Sequence, residues 1–242
     1  MCGRFVAPDQ ASIEREWGLT HPQAAGALAA AFAELSKVRY DVRPTTRAII
    51  LRNPQSGEIE TAAAKWGLVP CWWKQEKPPA STFNARSEDA AGKPMWRDAY
   101  RKARCLVPVK GWYEWRVESP PGSTKPMKQR YFMRRKDRGL IYLAGLYSDR
   151  TNPVTGECEL TYTILTRAAA GRLAEFHDRM PVIFSRDVGE EWLDPKITDK
   201  DRVGQMIRDL AEEDFEVIPV GKDGLTESED LSASSAIEPN LP

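Results

Sequence analysis

The sequence predicts an α+β protein, antiparallel sheet with helices at its periphery. Three observations carry that expectation. Strands dominate the middle of the chain, in short runs rich in Val, Ile, Leu, Tyr and Trp. The segments between them are short and hold Pro, Gly, Asn and Asp, so neighbours join as hairpins. No long helical crossover, internal repeat or glycine-rich phosphate loop interrupts the run, which excludes a doubly wound parallel sheet.

Taken in order, residues 11–19 form a helix with Ile13 and Trp17 at helical spacing, and residues 22–35 a second one, with Pro22 at its start and an alanine run. Residues 47–52 and 59–66 are strands around the turn at 53–57. Residues 69–87 hold three prolines without a clear period and read as a loop. A helix is expected at 93–103, then strands at 105–109, 111–117, 130–135, 140–147 and 159–167. The Pro- and Gly-rich stretch 119–128 closes a hairpin. Residues 168–176 read as a short helix and 181–184 as a strand. Helices at 185–193 and 198–210 have Ser185 and Thr198 as caps. A last strand covers 215–220. Residues 1–220 then make one domain, and 221–242 a polar, loose tail.

The chain has 242 residues, 41% hydrophobic and 29% charged, enough to bury a core without staples. No apolar run reaches the roughly 20 residues of a membrane span, and no signal peptide is evident, so a cytoplasmic protein is expected. Cys2, Cys71, Cys105 and Cys158 show no CxxC pairing, which favours a reducing compartment. With two histidines and no Cys/His cluster, no metal site is expected. Net charge is zero but uneven: residues 125–138 hold seven basic side chains and one acidic, and residues 205–242 ten acidic and two basic. A basic face is compatible with that pattern, and so are two solvated surfaces.

Four segments carry chemistry. The first is Met1-Cys2-Gly3-Arg4-Phe5. With Met1 removed, Cys2 presents an α-amine (pKa about 7.7–8.0) and a thiol (about 8.5) on adjacent carbons, far better nucleophiles at neutral pH than lysine. Such a pair forms an imine with an aldehyde and closes it to a thiazolidine. The second is Phe83-Asn84-Ala85-Arg86-Ser87-Glu88, polar residues at the end of a loop. In the third, Gly111-Trp112-Tyr113-Glu114-Trp115, strand alternation puts Trp112, Glu114 and Arg116 on one face. Aromatic neighbours would desolvate Glu114 and raise its pKa; a solvated Glu114–Arg116 pair is the plainer reading. The fourth is Phe176-His177-Asp178-Arg179-Met180-Pro181, with His177 between elements, where catalytic and merely structural histidines both occur.

Together with the Trp66-to-Trp73 stretch, WGLVPCWW, these ordered motifs make residues 1–192 resemble the SRAP (SOS response-associated peptidase) family. The resemblance implies a curved, barrel-like sheet core. It also implies covalent capture of abasic sites in single-stranded DNA by Cys2 after Met1 removal, protecting the lesion, with no cofactor, no membrane partner and a monomeric protein. On the matching motifs, Asn84 would hold the α-amine. Glu114 would act as acid/base in crosslink formation, its reversal and Met1 removal. His177 would help to open the sugar to its aldehyde. Arg4, Arg86 and Arg179 would contact phosphates, and Trp72 and Trp73 would stack on DNA. Two features depart from the family pattern. Asp41 and Arg43 stand where Asn and Ala are usual, and 221–225 reads Gly-Lys-Asp-Gly-Leu where an Asn-rich segment is common. Two other classes remain open: an N-terminal-nucleophile hydrolase of the glutamine amidotransferase type, and a non-covalent reader of modified cytosine.

Overall fold

The computed structural model describes residues 2–19, 35–54, 57–75, 78, 81–119, 125–208, 215–221 and 224–225. It contains two sheets. One has the order β13-β8-β7-β1-β2, from strands β1 (Phe5–Ala7), β2 (Arg39–Val42), β7 (Gly111–Glu118), β8 (Met127–Arg135) and β13 (Phe215–Val220). The other runs β11-β10-β4-β3-β6-β9-β12, from β3 (Arg47–Arg52), β4 (Glu60–Trp66), β6 (Arg104–Val109), β9 (Ile141–Thr151), β10 (Cys158–Ala168), β11 (Arg179–Pro181) and β12 (Ile183–Phe184). A further pairing of β9 with β10 closes β10-β4-β3-β6-β9 into a barrel, which removes the edges an open sheet would leave. The α+β expectation holds.

Strand alternation divides the core. Ile50, Ala64, Trp66, Val107, Leu143, Tyr162 and Ile164 face the first sheet's Phe5, Trp112, Tyr131 and Met133, with Cys2 among them. Their sequence neighbours Ile49, Leu51, Leu106, Ala144 and Leu165 face outward and are covered by helices α1 (Gln10–Trp17), α3 (Arg97–Lys102), α4 (Arg186–Leu193) and α5 (Lys200–Arg208) through Ile13, Tyr100, Trp192 and Met206. Trp66, Trp112 and Trp192 are fully buried; removing one such ring costs roughly 3–5 kcal/mol.

Several local expectations are corrected. The loop at 69–87 ends in a strand, β5 (Asn84–Arg86), followed by a one-turn helix, α2 (Ser87–Ala90). β5 pairs in parallel with β10, as β4 does, within a sheet whose other pairings are antiparallel. The helix expected at 93–103 begins only at Arg97. The helix at 168–176 is replaced by a 3-10 turn, Gly171–Glu175. β10 continues to Ala168, the Ala169 N–H donates to the Asp178 carbonyl, and Gly171 adopts φ +54°. A glycine in the left-handed region ends any helix there. The single strand at 181–184 is two, because Val182 donates to Leu165 on β10 and accepts from Ala144 on β9. The last helix is capped by Asp199, which accepts from the N–H of Asp201 and Arg202, rather than by Thr198. Ser185 does cap α4. β1 and β2 were not foreseen. The helix expected at 22–35 lies outside the described residues except for Leu35, and so does the tail beyond Leu225. Leu225 itself is buried.

Candidate active site

Three strand pairings assemble the motif segments. β1 runs antiparallel to β7 with Phe5 opposite Trp112, which carries Cys2 toward the strand bearing Glu114. β5 lies beside β10 with Asn84 opposite Ile164. β11 lies across β10 with Arg179 opposite Ala168, which brings His177 to the same end. Residues separated by more than 170 positions thus converge through pairings that start at strands of three residues.

Cys2 is fully buried, and its carbonyl accepts from Asn84 Nδ2 at 2.8 Å. Asn84 Oδ1 is buried and has no hydrogen-bond partner among the described residues, so the amide keeps an acceptor at this position. Glu114 is only 4% exposed. Burial raises its pKa to about 7, against the pull of the N-terminal amine, and the Asp178 carboxylate adds to the rise. The solvated Glu114–Arg116 pair is therefore not what forms: Arg116 bonds Glu118 and Tyr131. Burial also pushes the Cys2 thiol well up, reinforced by the charge of Glu114. An acid near neutrality can give or take a proton at the site, while the thiol beside it keeps its own.

His177 is half-buried. Burial lowers its pKa, as do the N-terminal amine and Arg179, while Asp178 opposes them. Its Nδ1 accepts from the Arg179 N–H at 2.9 Å and also lies 2.5 Å from Asp178 Oδ1. One nitrogen cannot serve both: the first contact needs a bare Nδ1, the second a protonated one. The amide is held in the β10–β11 ladder, whereas Asp178 is largely exposed. The neutral ring thus accepts from the amide, and Asp178 becomes the partner on protonation.

The expected DNA contacts are placed differently from one another. Arg179 makes a two-pronged bond to Glu88, 2.8 Å for each arm, and donates to the Thr166 carbonyl, tying the second motif to the fourth. Arg86 is exposed at the start of α2. Arg4 lies on the opposite face of the first sheet from Glu114. There Asp41 receives Arg4 at 3.4 Å, Arg43 at 2.8 Å and Arg130 at 3.4 Å. Trp72, 43% exposed, and Trp73 meet edge to face at 5.8 Å. Three adjoining cavities lead to them from Phe83, next to Asn84. The first, about 500 Å³, is lined by Trp66, Phe83 and Arg150. The second, about 430 Å³, shares Arg150 and adds Trp73 and Cys71. The third, about 510 Å³, shares Cys71 and adds Trp72 and Lys102.

The aromatic wall of the site escaped sequence reasoning. Tyr131 is the direct cross-strand partner of Glu114, and Phe176 packs against it at 4.8 Å. Only the β7–β8 register reveals the first; the position of Phe176 just before His177 was a usable signal for the second. Three of the four arginines in the basic run 125–138 are paired: Arg130 meets Asp41, Arg134 meets Glu216 and Arg135 meets Asp137. Among the described residues no group of His, Cys, Asp and Glu is arranged to hold a metal, and no helix is long and apolar enough to cross a membrane.

A family model described as SOS response associated peptidase (SRAP) matches residues 1–223. The chain belongs to the SRAP family. SRAP relatives include the abasic site processing protein YoqW of Bacillus subtilis, 34% identical over 182 residues, 75% of this chain and 78% of that one. The abasic site processing protein YedK of Escherichia coli is 31% identical over 163 residues, 67% and 68% of the two chains. Among solved structures, a Bacteroides thetaiotaomicron protein superposes with a TM-score of 0.74 at 23% identity, covering 92% of this chain and 93% of its own. A phage-related protein of Bordetella bronchiseptica gives 0.68 at 26%, covering 91% and 95%. The two-sheet architecture is thus shared with these solved structures.

Proposed function

We propose that this SRAP protein captures abasic sites in single-stranded DNA covalently, through a thiazolidine on Cys2 once Met1 has been removed. The observation that carries the reading is the grouping of Cys2 with the Asn84 amide, a buried Glu114 whose pKa is near 7, and a neutral His177. The names of the relatives, abasic site processing proteins, support the substrate.

The chemistry follows from the protonation states. An abasic sugar is mostly a closed hemiacetal. His177 moves the proton between ring oxygen and hydroxyl that opens it to the aldehyde. The amine of Cys2, accepted by Asn84 Oδ1, attacks the aldehyde carbon, and the carbinolamine loses water to give an imine. The thiol then adds across the C=N bond. Its proton goes to Glu114, the imine nitrogen takes up a proton, and the five-membered ring closes. The reverse sequence, with Glu114 donating, releases the DNA. A thiol pushed up by burial is a poor first nucleophile, so amine-first attack fits this site better than the thiolate-first attack of an amidotransferase. Removal of Met1 is assigned to the same group, with Glu114 as its acid/base. The cavities from Phe83 to Trp72 offer a single strand a path with rings to stack on, and the phosphate contacts are assigned to Arg4, Arg86 and Arg179. The protein acts as a monomer in the cytoplasm, on the nucleoid.

The test is to incubate the Met1-free protein with a single-stranded oligonucleotide bearing one abasic site, and to follow intact mass and denaturing gels. A heat-stable adduct that Cys2→Ala abolishes is expected. No adduct, or an adduct that survives Cys2→Ala, rejects the reading.

A further inference from the structure

The strand that carries Glu114 places a second charged side chain on the same inner face, Arg116. Its guanidinium lies 4.8 Å from the Phe176 ring and 5.2 Å from the Tyr131 ring. Those rings meet edge to face, 4.8 Å apart. Arg116 Nε and Nη2 donate to Glu118 Oε1 at 2.8 and 2.6 Å, and Nη2 donates to the Tyr131 hydroxyl at 3.2 Å. That hydroxyl donates in turn to Glu118. Arg116 Nη1 also stands 4.0 Å from the Glu175 carboxylate, at the end of the 3-10 turn.

The two rings are not ordinary neighbours. Tyr131 sits opposite Glu114 in the β7–β8 ladder, and Phe176 directly precedes His177. Among the described residues, the Arg179 N–H fixes one nitrogen of the imidazole, and the His177 N–H reaches the Leu173 carbonyl only at a long 3.4 Å. Side-chain packing at Phe176 is a further constraint on where the imidazole stands. From this geometry we infer that Arg116 is a positioning residue for the reaction: by clamping Phe176 onto Tyr131 it holds His177 beside Glu114. The inference rests on the reading given under Proposed function.

The chemistry of the clamp needs arginine. A planar guanidinium stacks on rings while its fork bonds a carboxylate; an ammonium does neither in the same way. The Arg116–Glu118 pair alone, half-exposed, would contribute little. The stack and its reach to Glu175 give the residue its role. The competing role is a phosphate contact, since the guanidinium is 38% exposed.

The experiment uses the Met1-free full chain and the single-stranded abasic oligonucleotide. Arg116→Ala is expected to slow single-turnover adduct formation about tenfold, part of the roughly 10²–10⁴ that a placed acid/base supplies. Affinity for an intact oligonucleotide stays within about twofold of wild type. Arg116→Lys does not restore the rate, and Phe176→Leu reproduces the defect. In a His177→Ala background Arg116→Ala adds nothing, because the two act as one unit. Only His21 and His177 titrate as histidines, so NMR follows the ring directly. Loosened packing exposes His177, and its pKa moves up toward the ordinary value. Asp178 and Arg179 act on that ring and remain in place, while the N-terminal amine moves to Cys2 in wild type and variant alike.

An Arg116→Ala protein that binds intact DNA more weakly but reacts normally at saturation overturns the clamp in favour of a phosphate contact. Equal slowing with and without His177 overturns it in favour of general damage. Should Arg116→Ala fold poorly, Phe176→Leu carries the same comparison. A wild-type protein that makes no adduct defeats the parent reading instead, and the His177 titration still decides whether the clamp exists.

Discussion

β7 separates two environments built from the same few residues. On its inner face Glu114 is enclosed by Tyr131, with Phe176 packed behind that ring, and its pKa stands near 7. On its outer face Tyr113 and Trp115 lie under Arg130 and Arg4, and Asp41 has three arginines around it. The Tyr113 hydroxyl donates to the Tyr40 carbonyl and accepts from the Leu225 N–H. One carboxyl is desolvated and poised to exchange a proton. The other is surrounded by fixed cations and balances them. The difference teaches that alternation along one strand suffices to separate desolvated from ion-paired charge: the two sets are one residue apart in sequence and a sheet's thickness apart in space.

The sharpest way to break this contrast is Glu114→Gln. The adduct rate should fall by roughly 10²-fold or more, and the limb of the wild-type pH–rate profile near pH 7 should vanish. An unchanged profile removes Glu114 from the chemistry. Stability should move the other way. The folded-state pKa of Glu114 lies above its unfolded value, so the folded protein holds the extra proton between about pH 4.5 and 7, and stability falls as pH rises through that window. The penalty at pH 8 approaches about 3 kcal/mol at 1.36 kcal/mol per pKa unit. Glu114→Gln should therefore raise the melting temperature at pH 8 and leave it nearly unchanged at pH 4.

A smaller effect is expected on the outer face. Asp41→Asn frees arginines from their shared counter-ion. Affinity for intact single-stranded DNA should rise at low salt, and the log–log salt slope should steepen by about 0.7 for each arginine that gains a phosphate. Stability should drop by about 1 kcal/mol, mainly through Arg130, which is 4% exposed and keeps its charge. The adduct rate at saturating DNA should not move. A rate change without an affinity change would falsify the separation of the two faces. The smallest effect is Arg43→Ala. Its exposed pair with Asp41 should leave the melting temperature essentially unchanged, with a slight loss of DNA affinity at low salt.

What was legible in the sequence follows from range. The β3–β4 hairpin, the Ser185 cap and the shared face of Trp112 and Glu114 depend on residues a few positions apart, and all stand in the structure. β5 was not legible: three residues carry no period, and its stability comes from β10, about 80 residues away. The helix read at 168–176 failed because helix-forming residues there are claimed by a longer β10 and by the Ala169–Asp178 bond. The resemblance made Arg179 a phosphate contact; its partner in the fold, Glu88, lies 91 positions away. Arg4 and Cys2, two residues apart, were grouped by motif, yet they serve opposite faces.

By itself the sequence singled out Cys2, Asn84, Glu114 and His177 as the candidate site residues of this SRAP protein, because each sits in a motif readable within a few positions. It also determined the strand-rich architecture, since local patterning and turn chemistry are short-range properties. Only the tertiary structure decided their states. Burial, not identity, raises the pKa of Glu114 and holds the proton on the Cys2 thiol. Register, not spacing, puts Tyr131 opposite Glu114 and Glu88 under Arg179. Desolvation and counter-charge depend on what lies within a few ångströms in space, and a linear chain fixes that only once its distant strands have paired.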